Sequence, residues 1–420
     1  MEEYLTKLEN YNPDWVVLQF PNIYGEVKEI TISRELFNSS TIQDGFENGD
    51  LSKYFGVYDP LYLVPILETY AELEWYPRTV RFISRINRGK ERFEKDLIHP
   101  YDKTIELLKE SNIELLVKGS VEYTVLDSVS VDRVTKERGP SITIETREAR
   151  WNPNYIPPLE PSFQSFDIYQ PLRQQISESL KKMGFDVESN YHSGTSQHKI
   201  NFNYISIENF AYQMFSFRNV LRVLSESLGF HSSLMPIVFP NHKPNSVELR
   251  IMGKMDVSYF VGGILDNINS ILLFTNPLET SYKKLNYEGY YLVASDKNID
   301  GAIVLFDEEK GLIKLDFIDP IANPFLYIPV IIYSGLYGIK KKIEPNVIKT
   351  PPRLMSNREL KEKNIKQTPL FFKEVLSNVD ENFLKKIFSS ELINDYLEIK
   401  YKELESNYNS INLPDYEKYI

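Results

Sequence analysis

The chain has 420 residues, with 48 Lys and Arg against 59 Asp and Glu, a net charge of -11, 42% hydrophobic residues, no Cys and five His. That length exceeds one typical core, so two domains are expected. The acidic balance argues against nucleic acid as a partner, and the missing cysteines exclude disulfides, thiolate catalysis and Cys-ligated zinc.

In chain order, residues 1–10 spell an acidic amphipathic helix rather than a signal peptide, so a cytoplasmic location is expected. Asp14–Phe20 and Glu26–Ile32 are β-rich runs split by Pro21, Asn22 and Gly25, which predicts a hairpin. Strands are expected over Leu61–Ile66 and Thr79–Ile86. His99-Pro100 then breaks the pattern, and Tyr101–Glu110 places Ile105, Leu107 and Leu108 on one helical face. Leu115–Leu126 reads as a strand. Residues 131–165 are polar and proline-rich, with one strand at Ser141–Glu145.

Tyr169–Met183 and Ile207–Leu228 are predicted helices closed by Gly184 and Gly229. His198–Tyr204 and Val247–Met252 alternate like strands, and Asp256–Phe274 reads as one helix ending at Asn276-Pro277. The apolar run 325–339 is shorter than the roughly 20 residues that span a bilayer, so it predicts a buried helix kinked near Pro329 and no membrane partner. Residues 350–369 read as a linker, and the last sixty as charged helix.

Two segments carry a family resemblance. Asn276-Pro277-Leu278-Glu279-Thr280-Ser281-Tyr282-Lys283-Lys284-Leu285 resembles N-P-x-x-N-S-Y-K-R-L of glutamine synthetase, and Asp319-Pro320-Ile321-Ala322-Asn323-Pro324-Phe325 resembles its P-D-P-x-x-N-P-Y. Phe37–Ile42, Tyr58-Asp59, Lys182–Glu188 and Ser334–Ile339 resemble four further signatures in the family's order. The resemblance implies an α+β glutamine synthetase fold. A small β-grasp-like domain over 1–99 would precede a catalytic-type domain over 100–420, built on a curved antiparallel half-barrel sheet with flanking helices and a helical tail.

In that family, ATP phosphorylates the glutamate side chain and ammonia then displaces the phosphate. Mg or Mn ions held by glutamates and one histidine neutralise the phosphates. Here the resemblance places Ser120 and Glu122 on the first pair of ligands, and His192 and Lys199 on the next. Glu248, followed by Arg250, falls at the metal histidine. Lys314 falls at another metal glutamate, and Asp316 at a phosphate-binding arginine. Lys284 replaces a signature arginine, and Asn38 an aspartate that helps bind ammonium across a subunit boundary; Asp59, a second such aspartate, is kept. The family's flap glutamate would fall near Tyr290-Tyr291. An ammonium 4 Å from a divalent ion costs roughly 8 kcal/mol at an effective dielectric near 20.

No catalytic residue, no metal and no cofactor are therefore expected at this site. Lys199 and Lys314 are expected to pair with Glu122, Glu248 and Asp316, with Arg250 nearby. The leading reading is an inactive, glutamine synthetase-like homo-oligomer, in a hexameric ring or double ring. It would have a structural, sensing or regulatory role in nitrogen metabolism and could partner a true synthetase. The alternatives are a glutamate–ammonia or γ-glutamyl–amine ligase with a rearranged site, and metal-free acid/base chemistry by Glu122 with His192.

Overall fold

The computed structural model describes residues 2–132, 141–146, 167–239 and 243–409. The first strands are β1 (Trp15–Pro21), β2 (Val27–Ser33), β3 (Phe46–Glu47), β4 (Leu61–Pro65), β5 (Ala71–Glu72), β6 (Thr79–Arg88) and β7 (Glu91–Arg92). They form one mixed sheet with β2-β1-β6-β4-β3 at its spine, β1 running parallel to β6. Val16, Leu18, Phe20, Phe82 and Ile86 project into a core shared with Phe37, Leu51 and Phe93.

The β1–β2 hairpin turns at Asn22, whose side-chain oxygen accepts from the Tyr24 and Glu26 amides at 3.1 and 2.9 Å. Gly25 follows at φ +75°, where a Cβ would lie 2.4 Å from Arg218 Nη1. The hairpin tip therefore needs glycine both for its backbone and for the arginine pressed against it.

The helix Ile98–Glu110 begins earlier than the sequence suggests, because Pro100 is tolerated in a first turn that needs no amide donor there. Beyond it come β8 (Leu115–Leu126), β9 (Ser128–Asp132), β10 (Ser141–Glu145), β11 (Val187–Gly194), β12 (Gln197–Phe202), β13 (Ile205–Ser206), β14 (His231–Ser233), β15 (Val247–Gly253), β16 (Tyr291–Ser295), β17 (Ala302–Asp307) and β18 (Leu312–Ile318). β9 and β10 pair as a separate ribbon. The others form a nine-stranded sheet of order β11-β12-β8-β15-β18-β17-β16, antiparallel except between β16 and β17, with β13 and β14 added along β8.

Alternation along these strands sets two faces. Val117, Val121, Ile200, Phe202, Leu249, Ile251, Ile313 and Leu315 are buried in the main core, against helices that include Ile207–Ser227 and Pro324–Lys341. The intervening positions, among them Ser120, Glu122, Lys199, Glu248, Arg250, Lys314 and Asp316, project to the other face. A mixed α+β fold with a curled half-barrel sheet and flanking helices is what the resemblance implied.

Two local expectations are corrected. The helix expected over 256–274 is two, Val257–Asp266 and Ile268–Thr275, bent by 76° at Asn267. The Asn267 amide donates to the Gly263 carbonyl at 3.1 Å and ends the first helix. Gly263 packs so tightly on Pro324–Lys341 that a Cβ there would lie 2.0 Å from the Ser334 carbonyl oxygen. Residues 350–369 are not a bare linker: a capping box at Ser356 and Glu359 starts the helix Asn357–Glu362, and Ile348 and Ile365 pack on Val293 and Ala302. Of the excursion 131–165, most lies outside the described residues. Among the described residues, no single helix is long and apolar enough to cross a membrane.

Candidate functional site

The open face of the large sheet brings charged side chains from four adjacent strands side by side. In register, Lys199 on β12 lies opposite Glu122 on β8, Ser120 on β8 opposite Glu248 on β15, and Arg250 on β15 opposite Lys314 on β18. Pairing follows chemistry more than register. Glu122 is only 2% exposed, and its carboxylate accepts from Lys243 Nζ at 2.6 Å and from Ser246 Oγ at 3.0 Å. Burial opposes the Lys243 ammonium, but Glu122 outweighs burial and raises its pKa.

Glu248 anchors the second group. Its carboxylate lies 2.6 Å from Arg250 Nη2 and 3.1 Å from Lys314 Nζ, and Lys314 also stands 3.5 Å from Asp316. Tyr290 closes the group by donating its hydroxyl to Asp316 at 2.8 Å. Burial alone would push the Glu248 carboxyl up; Lys314 and Arg250 prevail and hold it below its usual range.

The expected Lys314 pairing with Glu248 and Asp316 is thus present, with Arg250 beside it. The expected pairing of Lys199 is not: Lys243 arrives from the loop before β15 and takes Glu122 instead. No sequence pattern announces this contact, because Lys243 lies in a loop outside every signature segment.

Other named residues lie away from this face. His192 lies opposite His198 across the β11–β12 pair, and its ring stacks on His198 with centroids 5.0 Å apart. It sits on the core side, with Tyr191 facing Lys199 in its place, so His192 and Glu122 do not form an acid/base pair here. Fully buried His198 accepts at Nδ1 from Arg173 Nη1 at 3.1 Å, and Arg173 pairs with Asp167 at 2.7 Å. Burial first, then His192 and Arg173, push the His198 pKa well down. Asn38 is exposed and caps a short helix through the Ser40 and Thr41 amides, while exposed Asp59 lies 3.6 Å from Arg88. Both belong to the small sheet's unit.

Lys284 lies inside the protein. It is fully buried, and its ammonium donates to the carbonyls of Phe317 at 3.0 Å and Ile318 at 2.9 Å and to Asp319 at 3.0 Å. Asn276 donates to the Phe317 carbonyl and to Asp319 from the other side, at 2.9 and 3.2 Å. Asn323 caps Pro324–Lys341 and donates to the Asn22 carbonyl at 3.2 Å. Arg218 donates to the carbonyls of Tyr24, Gly25, Pro320 and Ala322. The two signature segments are therefore one structural staple, tying the end of β18 to a helix and to the β1–β2 hairpin.

Beside the Glu122–Lys243 pair lies an open cleft of about 310 Å³, lined by Glu122, Tyr191, Ser193, Lys199, Lys243, Tyr287 and Glu288. Glu288, at the end of the helix Glu279–Glu288, is a cleft carboxylate that sequence reasoning missed; the position matched to the flap holds Tyr290, bonded to Asp316. Burial, Asp316 and Glu122 raise the Glu288 pKa against the pull of Lys284 and Lys243. Among the described residues, no group of three or more His, Asp or Glu converges as a metal-binding set.

Comparison with known proteins gives one consistent result. A family model described as "Glutamine synthetase, catalytic domain" matches residues 100–251 and 253–419. Glutamine synthetase of Sulfolobus acidocaldarius is 26% identical over 452 residues, covering 96% of this chain and 94% of that protein. Glutamine synthetase of Clostridium saccharobutylicum is 25% identical over 462 residues, covering 100% and 98%. The cryo-EM structure of Plasmodium falciparum glutamine synthetase superposes with a TM-score of 0.83 at 17% identity, covering 100% of this chain and 98% of that one.

Proposed function

Because this chain belongs to the glutamine synthetase family, we propose that it is a synthetase-like protein that keeps the family scaffold without the ligase reaction and serves a structural, metabolite-sensing or regulatory role in nitrogen metabolism. The expectation that no cofactor is involved is corrected by that membership: the family uses ATP with Mg or Mn, so these are the ligands its catalytic domain implies. The residues at the family's metal positions do not match a hard-cation site, which needs converging oxygen donors. An ammonium, Lys314 Nζ, stands 3.1 Å from Glu248, where an ion would need that carboxylate free. No ligase step is assigned to these side chains.

The observation that carries this reading is the Glu248–Arg250–Lys314–Asp316 cluster, which neutralises its own charge across β15 and β18. Half-buried ion pairs of this kind keep a charged sheet face compatible with folding. We place the boundary between a small N-terminal domain and a catalytic-type domain at residues 99 and 100. We further propose a cytoplasmic homo-oligomer, as a hexameric ring or double ring, with a true synthetase as a candidate partner. The alternative reading, a glutamate–ammonia or γ-glutamyl–amine ligase with a rearranged site, draws on relatives that are themselves glutamine synthetases.

Phosphate release from ATP by the purified chain, with Mg²⁺, glutamate and ammonium, tests the choice. Release no faster than in a protein-free blank supports the scaffold reading, and glutamate-dependent release overturns it. Mass photometry tests the ring: a monomer at micromolar concentration removes that part.

A further inference from the structure

We propose that the basic surface formed by residues 340–366 is a docking site for an acidic segment of a partner protein. The inference stands on the charge of that surface and does not depend on whether the chain is a ligase.

Positive charge is concentrated here. Residues 340–366 hold nine Lys and Arg against three Glu, a net of +6 in a chain whose total is -11. The fold then gathers these residues along the edge of β16 that β17 leaves open. The Ala294 amide donates to the Asn346 carbonyl and the Ile348 amide to the Ala294 carbonyl, each at 2.9 Å. Farther along the same edge, the Leu292 amide donates to the Lys366 carbonyl at 2.8 Å. Asn346 joins the two segments, its side-chain amide donating to the Lys363 carbonyl at 3.0 Å. Lys342 and Lys349 lie within four residues of Asn346, a reach of at most about 14 Å.

The charge is left open. Lys340, Lys341, Lys342 and Lys349 are exposed, as are Lys361, Lys363 and Lys366. None of the seven has an ion-pair partner among the described residues. Lys340 and Lys341 complement the negative end of the helix Pro324–Lys341, but that field fades within a turn and does not account for Lys349 or the 361–366 group. Leu354 stands 72% exposed between Arg353 and Arg358. An uncovered apolar side chain among cations has the make-up of an interface in which charge steers the partner and the apolar group anchors it.

Charge complementarity selects the occupant. The open cations are lysines, which meet carboxylates as point charges. The two arginines, whose forks suit phosphate, are already engaged, Arg353 by Asp300 at 2.9 Å and Arg358 by Glu362 at 2.7 Å. The rest of the chain carries -17, so a bilayer or a nucleic-acid duplex extending past the patch would also face that acidic surface. A short acidic segment, with an apolar residue to meet Leu354, touches the patch alone.

The test is fluorescence anisotropy of a labelled oligo-glutamate peptide carrying one central Leu, titrated with the full chain at low ionic strength. Oligothymidylate of the same charge and phosphatidylcholine–phosphatidylserine vesicles serve as parallel arms. The expected result is saturable peptide binding, tighter than either arm and weakened by sodium chloride. The triple change Lys361→Glu, Lys363→Glu and Lys366→Glu is expected to lower affinity tenfold or more, and Leu354→Ser severalfold. The charge-matched triple Lys90→Glu, Lys103→Glu and Lys181→Glu, at lysines exposed elsewhere, should lower it by less than about twofold. Each variant's Tm reports its folding, and Lys340→Glu with Lys341→Glu and Lys342→Glu repeats the test should the first triple fail to fold. Absence of saturable peptide binding overturns the proposal. So does an equal loss in the charge-matched triple, or tighter binding of the oligonucleotide or the vesicles than of the peptide.

Discussion

Lys284 and Lys314 are both lysines set against an aspartate on or just beyond β18. Lys284 meets Asp319 with both side chains fully covered, and two backbone carbonyls complete the shell of its ammonium. Lys314 meets Asp316 and Glu248 on the open face, with 27% and 28% of the Lys314 and Asp316 side chains exposed. The first pair belongs to the segments that carry the family resemblance, the second to positions that the resemblance alone matches to the family's metal and phosphate sites. On the proposed reading, identity and activity are written in different places: a buried staple holds the fold while the open face carries the exchanged charges.

The comparison can be broken by substitution. Lys284→Met leaves Asp319 buried without its cation and is expected to cost about 3–5 kcal/mol in urea unfolding. A loss under about 1 kcal/mol would remove the staple from the account. Arg218→Met strips four carbonyls of their shared donor, and roughly 3 kcal/mol is expected. It should act mainly by loosening the β1–β2 hairpin, read as faster amide exchange around Tyr24 and Gly25.

Acid sharpens the comparison from the core side of the same strands. The folded-state pKa of His198 lies well below its unfolded value, so protonation favours the unfolded chain. Stability should therefore fall as pH drops below about 6.5, by up to about 2 kcal/mol at pH 5, and His198→Gln should flatten that slope. An unchanged slope in His198→Gln would assign the effect elsewhere.

Lys314→Met is expected to cost least, about 1 kcal/mol or less, because Arg250 still holds Glu248 and water reaches the cluster. The Glu248 carboxyl is held low, so its contribution is full above about pH 4.5 and is lost as pH falls through its lower folded value. Lys314→Met should move that loss upward in pH.

The scaffold was legible because its markers are buried and local. Asn276, Lys284 and Asn323 each bond particular backbone groups, and Asp319 holds the first two, so their spacing marks the segment and fixes the register of β18. The Lys314 cluster followed from that register, since alternate residues on neighbouring strands must face one another. Lys243 and Glu288 were not legible, because a loop lysine and a helix-end glutamate reach the cleft through tertiary packing and not through any strand pattern. His192 was misplaced by a bulge: a shift of one residue turns a side chain from the cleft to the core, and nothing in the strand's sequence marks that shift. The Asn267 bend was missed for a similar reason, since an apolar run reads alike whether a helix is straight or broken.

The central claim, that the fold persists without the ligase reaction, is tested most directly by γ-glutamyl transfer to ammonia or a simple amine, with ATP and Mg²⁺ supplied in excess to the intact chain. The account predicts no product above the protein-free control. Multiple turnovers per chain, abolished by Glu122→Gln, would contradict it and make this cleft a rearranged ligase site.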